Sequence, residues 1–451
     1  MMRIPRIMVA GGGSESGKTT ITCALLSAFM RRGLKTAAFK CGPDYIDPMF
    51  HRETQGCHSA NLDLFMLNED TALRLLLENS AGRDIAVLEG VMGFYDGVGG
   101  NTMEASAWHL SSVTGTPVLL VENCKGQSLT AAAHIKGIAE FRDNGISAIL
   151  LNNTGERLFN MIKPVIERET GLPVLGYLPY MPECVIKSRH LGLVTAVEIA
   201  ELRQKITILA DTIEKTVEID KILTLAEKAT PLKNISLIKN ATPPEKTPRI
   251  AVARDKAFCF YYEDGLNLLK KLGAELVDFS PLYDSKLPPR IDGLILGGGY
   301  PELYAAELSA NKSMLDSVNS AVKGGLPTIA ECGGFMYLHR ELEGADGILY
   351  QLSGIIDACC KKNDRLVRFG YAEFTAKVNN ILCEAGKTLK GHEFHYWDSE
   401  QPGSDFTAVK PVSRKTWNCI IAAETLFAGF PHFHFCSAPE TAVHFLKTCA
   451  P

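Results

Sequence analysis

Short, nearly continuous apolar runs recur through the first half of the chain. They are Arg6-Ile-Met-Val-Ala, Thr36-Ala-Ala-Phe-Lys, Ile85-Ala-Val-Leu, Pro117-Val-Leu-Leu-Val, Ala148-Ile-Leu-Leu and Val174-Leu-Gly-Tyr-Leu. Stretches with helical spacing of apolar positions separate most of them, from Thr19 to about Arg32, over 127–142 and over 156–169. Strands without polar alternation are buried on both faces, so this pattern predicts a parallel sheet covered by helices. A second series opens at Ile250-Ala-Val-Ala-Arg. It continues with a helix at about 262–272, the strands Leu276-Val-Asp-Phe and Gly293-Leu-Ile-Leu, a helix at 312–323 and the strand Pro327-Thr-Ile-Ala. Between the two series, 233–248 is polar and rich in proline and reads as a linker. The predicted architecture is α/β with two domains, 1–232 and 249–451, joined by 233–248.

Composition narrows the functional classes. The chain has 451 residues, 46% hydrophobic and 22% charged, which supports a buried core and excludes disorder as its main state. Its net charge of −4 argues against bulk nucleic-acid binding. No apolar run reaches the roughly 18 residues needed to span a bilayer. The start of the sequence does not read as a secretory signal, so a cytoplasmic location is expected. The thirteen cysteines include no CxxC pair and no zinc spacing, so most are expected to be small buried hydrophobes.

Candidate chemistry begins at Gly12-Gly13-Ser14-Glu15-Ser16-Gly17-Lys18-Thr19-Thr20, which fits GxxxxGK[ST] after a strand and before a helix. Such a loop curls backbone N–H groups around phosphate oxygens at a helix N-terminus. Lys18 would reach the β and γ phosphates, and the Thr19 hydroxyl would hold Mg²⁺. Asp44 and Glu89 stand at predicted strand ends, where ligands of a parallel sheet gather. Each reads either as a second metal ligand or as a capping carboxylate. Asn152, ending its own strand, reads equally as an adenine contact or a turn residue.

A second constellation lies in the other series. Ala330-Glu-Cys332-Gly333-Gly334 follows an apolar strand and precedes a helical pattern, as a nucleophile on a tight strand-to-helix turn requires. The Gly333 N–H, with Gly298 and Gly299 of a second glycine loop, would form an oxyanion hole, and the helix N-terminus would favour the thiolate. Two histidines, His432 and His434, offer a base, and their spacing puts them on one face of a strand. Gly391-His-Glu-Phe-His395 is a weaker His/Glu cluster whose spacing only loosely suits a metal.

Taken together, SESGKTT, FKCGPDYIDPMFH, LEGVMGFYDG, RHLGLV, AFCFYYEDGLNLL, LGGGYPELY, AECGGFMYL, GHEFHY and HFHF span nearly the whole chain. In these stretches it resembles the cobyrinate a,c-diamide synthases, glutamine-dependent enzymes of corrinoid biosynthesis. The resemblance implies a P-loop domain of dethiobiotin-synthetase-like fold and a class I glutamine amidotransferase domain. It assigns Cys332 as the nucleophile that releases ammonia from glutamine and His432 as its base, with His434 as the fallback. The glutamate that class I amidotransferases carry two residues after the histidine is here His434, so a Cys-His-Glu triad is not visible. The implied substrates are ATP with Mg²⁺, L-glutamine and cobyrinic acid, whose a and c acetate groups would be amidated through acyl phosphates. Arg189 is the candidate contact to this acidic macrocycle, and a homodimer stays open. Nickel-sirohydrochlorin a,c-diamide synthesis is the alternative within the same chemistry. Outside it stand a partition ATPase of the ParA/MinD type and an amidotransferase half reduced to a binding module.

Overall fold

The structure, a computed structural model, describes residues 2–185, 196–233 and 246–450. The chain divides into two compact units, Met1–Leu237 and Ile238–Pro451. Arg189 lies outside the described residues.

The first unit is built on seven strands: β1 (Arg6–Gly11), β2 (Thr36–Cys41), β3 (His58–Leu62), β4 (Ile85–Glu89), β5 (Val118–Asn123), β6 (Ile146–Asn152) and β7 (Val174–Leu178). They pair in parallel in the order β3-β2-β4-β1-β5-β6-β7. Every residue of β1, β2 and β4 is buried, as their unbroken apolar pattern requires. The helix Lys18–Arg31 packs Leu25 and Phe29 into a core with Val9, Val87, Leu119 and Leu150. β3 was not foreseen. Its polar sequence His-Ser-Ala-Asn-Leu carries no apolar run, and its place at the edge beside β2 decides its conformation.

The two ends of this unit meet at one buried cation. Arg6 is fully buried although it opens β1. Its guanidinium donates to Thr116 Oγ1 (3.0 Å) and to the carbonyls of Ile4, Thr114 and Thr230. Close by, Met2 and Leu232 exchange backbone hydrogen bonds, both 3.0 Å.

The second unit has a central sheet of β8 (Arg249–Ala253), β9 (Glu275–Phe279), β10 (Gly293–Leu296) and β11 (Thr328–Glu331). Two smaller sheets follow, from β12 (His339–Glu343), β13 (Leu349–Gln351), β14 (Ile356–Lys362), β15 (Arg368–Ala376), β16 (Thr388–His395), β17 (Trp397–Ser399), β18 (Phe406–Val409) and β19 (Thr416–Cys419). The chain then returns to the central sheet with β20 (Ile421–Ala422) and β21 (Leu426–Gly429), and β22 (His432–Phe433) joins the last sheet. The central order is β20-β21-β11-β10-β8-β9, parallel except for β20. The smaller sheets run β13-β12-β14-β17 and β19-β18-β15-β16-β22, and the latter is wholly antiparallel. The parallel α/β half of this unit follows the apolar runs. The strands of the two smaller sheets have no counterpart among the apolar runs, because one-sided burial leaves a weak pattern, as in β15, where Ala372, Phe374 and Ala376 are buried and the residues between them are not.

Replacing Arg6 with Ala leaves buried carbonyls without a donor. Arg6→Ala is expected to lower stability by about 3 kcal/mol in urea unfolding followed by circular dichroism.

Candidate active site

The carboxyl end of β1 runs into the glycine loop. Gly17 sits at φ 95°, in the left-handed region, and a Cβ there would strike the Asn152 amide at 2.0 Å. Asn152 Nδ2 donates to the Ser16 carbonyl at 3.0 Å, so the observed partner of this residue is the loop itself, which it braces from below. Lys18 Nζ donates to the carbonyls of Gly13 (2.8 Å) and Met92 (2.6 Å), at the mouth of the loop. Burial, and then the neighbouring Lys40, lower the Lys18 pKa to about 8.

Below the loop lies a buried charged cluster. Glu89, at the end of β4, accepts from the Thr19 hydroxyl and from Lys40 Nζ (2.9 Å), and lies 3.3 Å from His51 Nε2. Lys40 also pairs with Asp47 at 2.5 Å. Burial pushes the Glu89 carboxyl up, but Lys40 and then His51 outweigh it and hold the group well below the usual carboxylate range. Asp44 is used differently: its Oδ1 accepts from the Ile46 N–H (2.7 Å) at the start of the helix Ile46–Gln55. The Thr19 hydroxyl and the Glu89 carboxylate are hard oxygen donors in direct contact, which suits Mg²⁺. No group of three or more His, Cys, Asp or Glu that could hold a metal occurs among the described residues. Mg²⁺ that takes most of its oxygens from phosphate and water needs no such group.

In the second unit, β11 ends at Glu331 and the next residue breaks the strand. Cys332 has φ 48° and ψ −100°, a strained conformation for a side-chain-bearing residue. The turn is held by the Cys332 N–H donating to the Gly429 carbonyl (2.8 Å) and the Gly334 N–H to Gly297 (2.9 Å). A Cβ on Gly334 would meet the Leu296 carbonyl at 2.1 Å, so only glycine lets the chain turn this close to β10. The helix that follows, Gly333–Tyr337, has only five residues. The imidazole neighbouring the thiol is that of His432, on which Cys332 acts electrostatically. Burial lowers the pKa of His432, but Cys332 and then Glu331 outweigh it and raise it to about 10. The imidazolium is therefore kept through neutral pH and lost as pH rises through about 10.

The second glycine loop packs directly on this pair. A Cβ on Gly298 would fall 2.5 Å from His432 Cε1, and a Cβ on Gly333 would lie 3.0 Å from the Gly299 nitrogen. The stretch Ala257-Phe-Cys-Phe-Tyr-Tyr262, quoted above only as a resemblance, holds this loop. Cys259 and Phe260 donate their N–H groups to the Gly298 carbonyl (both 3.0 Å), and Tyr261 Oη accepts from the Gly297 N–H (3.0 Å). Tyr262 Oη meets His392 Nε2 at 2.9 Å, and the His392 ring stacks on His432 at 5.0 Å and 21°.

The two candidate histidines separate. β22 ends at Phe433, and His434 leaves the strand: its Nδ1 accepts from the Cys436 N–H (3.1 Å) and its ring stacks on Tyr262. His392 and His395 also diverge, His395 stacking on Phe430 and meeting the Trp397 carbonyl, so they do not form one metal site. Twelve of the thirteen cysteines are buried and Cys259 is partly so, all of them free thiols. Lys40, Asp47, His51, Glu331, His392 and Tyr262 all lie inside stretches quoted above, yet only the fold shows their contacts.

A P-loop unit and a unit with a cysteine on a strained strand-to-helix turn define a glutamine-dependent amidating ligase. Residues 7–193 match the CobQ/CobB/MinD/ParA nucleotide binding domain, and residues 249–440 the CobB/CobQ-like glutamine amidotransferase domain. The cobyrinate a,c-diamide synthase of Dehalococcoides mccartyi (strain CBDB1) is 39% identical over 99% of this chain and 98% of that protein. That of Priestia megaterium is 38% identical over 98% and 97%, and that of Thermoplasma volcanium 38% over 99% and 98%. The chain belongs to the cobyrinate a,c-diamide synthase family. No helix among the described residues is long and apolar enough to cross a membrane.

Removing one partner from the buried cluster strands the others. Lys40→Met leaves Asp47 and Glu89 without their shared cation and is expected to cost about 3 kcal/mol at pH 7, read by denaturant unfolding.

Proposed function

We propose that this enzyme amidates the a and c acetate carboxylates of cobyrinic acid, using ATP for activation and glutamine as the nitrogen source. The placing of Cys332 on a strained turn, with the glycine loop packed against both it and the His432 ring, carries this reading. We assign the synthetase to 1–232 and the amidotransferase to 249–451, with 233–248 as linker; the Met2–Leu232 pairing supports the first boundary.

In the amidotransferase, His432 holds the thiol proton as an imidazolium, and the Cys332 thiolate paired with it attacks the glutamine carboxamide carbon. The C–N bond breaks, the departing nitrogen takes the proton from His432, and ammonia leaves. The N–H groups of Gly298, Gly299 and Gly333 are the candidate donors to the oxyanion, and the close approach of Gly333 to the Gly299 nitrogen supports this role. Water then hydrolyses the thioester, which restores the thiol and releases glutamate. In the synthetase, Lys18 and the backbone amides of 12–20 bind the triphosphate, and Thr19 with Glu89 would hold Mg²⁺, which neutralises phosphate charge when bound. The substrate carboxylate attacks the γ-phosphorus and displaces ADP. Ammonia then attacks the acyl phosphate and displaces inorganic phosphate, leaving the amide.

Incubation of cobyrinic acid with ATP, Mg²⁺ and glutamine is expected to lower its mass by about 1 Da per amidation, over two steps, in mass spectrometry. Amidation of nickel-sirohydrochlorin in place of cobyrinic acid would redirect the substrate assignment. Cys332→Ser should abolish the glutamine-dependent reaction and keep the ammonium-dependent one; glutamine use at the unaltered rate would overturn the nucleophile. Gly298→Ala, which drives a methyl group into His432, should reduce glutamine hydrolysis at least about tenfold by displacing the base.

A further inference from the structure

The position two residues beyond the base, where a class I amidotransferase has its carboxylate, is occupied by His434, and that ring is turned to Cys436 and Tyr262. A different carboxylate reaches His432. Glu331 is the last residue of β11 and immediately precedes the nucleophile. Its Oε2 lies 3.6 Å from His432 Nδ1, and its Oε1 accepts from the Phe433 N–H at 3.3 Å. One carboxylate thus touches both the ring and the backbone of the two-residue strand that carries the base. We propose that Glu331 is the positioning carboxylate of the glutamine-hydrolysing site, replacing the missing glutamate after the histidine. The proposal rests on the reading of Cys332 and His432 as nucleophile and base.

The geometry explains how a residue on the neighbouring strand does this work. Strand residues alternate between faces, so Glu331 and Cys332 would ordinarily point apart. The left-handed backbone of Cys332 breaks that alternation and lets the thiol and the preceding carboxylate flank the same imidazole. With Nδ1 turned to Glu331, Nε2 is the nitrogen left for the thiol. A separation of 3.6 Å is an ion-pair contact rather than a hydrogen bond, and such contacts tighten when substrate closes a site. The His432 imidazolium faces a carboxylate that is only 17% exposed, which favours its ion pair with the thiolate. His392 stacks on the His432 ring and is held neutral by burial, then by His432 and Lys410, while Gly298 presents only backbone.

The test compares Glu331→Gln and Glu331→Asp with the unaltered enzyme in glutamine hydrolysis, with ammonium-dependent amidation by the same preparations as the reference for folding. Glu331→Gln is expected to lower kcat about ten- to hundredfold with KM for glutamine within about twofold, because the loss falls on orientation and charge at the base. The alkaline limb of its pH profile should move to lower pH, since the group that helps retain the imidazolium is gone. Glu331→Asp should recover part of both effects. Unchanged kcat in Glu331→Gln, or a lower kcat with an unmoved alkaline limb, would overturn the proposal. Should Glu331→Gln fail the ammonium reference, the alkaline limb of Glu331→Asp decides: a shift to lower pH supports the role and the unaltered profile overturns it. Cys332→Ser and His432→Asn proteins that still hydrolyse glutamine would overturn the underlying reading instead.

Discussion

A single tight turn governs the second unit. At Cys332 the backbone leaves β11 with positive φ, and it can do so only because Gly334 slides against the Leu296 carbonyl with no Cβ between them. That contact fixes the distance between β11 and the glycine loop after β10. The loop in turn fixes His432, because Gly298 has no side chain to hold the ring away. The thiol, the imidazole and the candidate oxyanion donors are therefore set by backbone close approach rather than by flexible side chains. This suits a site whose reacting atoms must be held to a fraction of an ångström.

The first unit solves a related problem with charge. Close to its glycine loop it holds Lys40, Asp47, His51 and Glu89 almost wholly out of water. Such a cluster persists only when each charge meets another, and the distances from 2.5 to 3.3 Å meet that condition. The Thr19 contact to Glu89 ties the cluster to the loop. A glycine loop at a helix N-terminus, tied to a buried charged cluster, is what phosphate binding asks of a scaffold.

The sequence stretches were legible to different degrees. Repeated apolar runs located most parallel strands and several helices to within a few residues, because burial on both faces leaves no polar position to blur the signal. The helix Lys312–Lys323 appeared with the bounds its spacing indicated. The two smaller sheets built from β12 to β19 left no clear signal, since one-sided burial and short strands give a weak pattern. Asp44 and Asn152 are open in the sequence between ligand and local roles; in the fold Asp44 accepts from a helix-start N–H and Asn152 donates to the glycine loop.

The sequence by itself determined which residues could do chemistry: a phosphate loop, a cysteine between small residues, histidines near the end, and the family stretches around them. These are local signals, because a tight turn or a phosphate cradle is made by adjacent residues. Only the tertiary structure decided which histidine meets the thiol and which carboxylate meets that histidine. Those contacts join positions a hundred residues apart or more, Glu331 to His432 and Phe433, and His392 to Tyr262. No spacing rule links such positions; strand order and register bring them together, and these are fixed by how the whole unit buries its core.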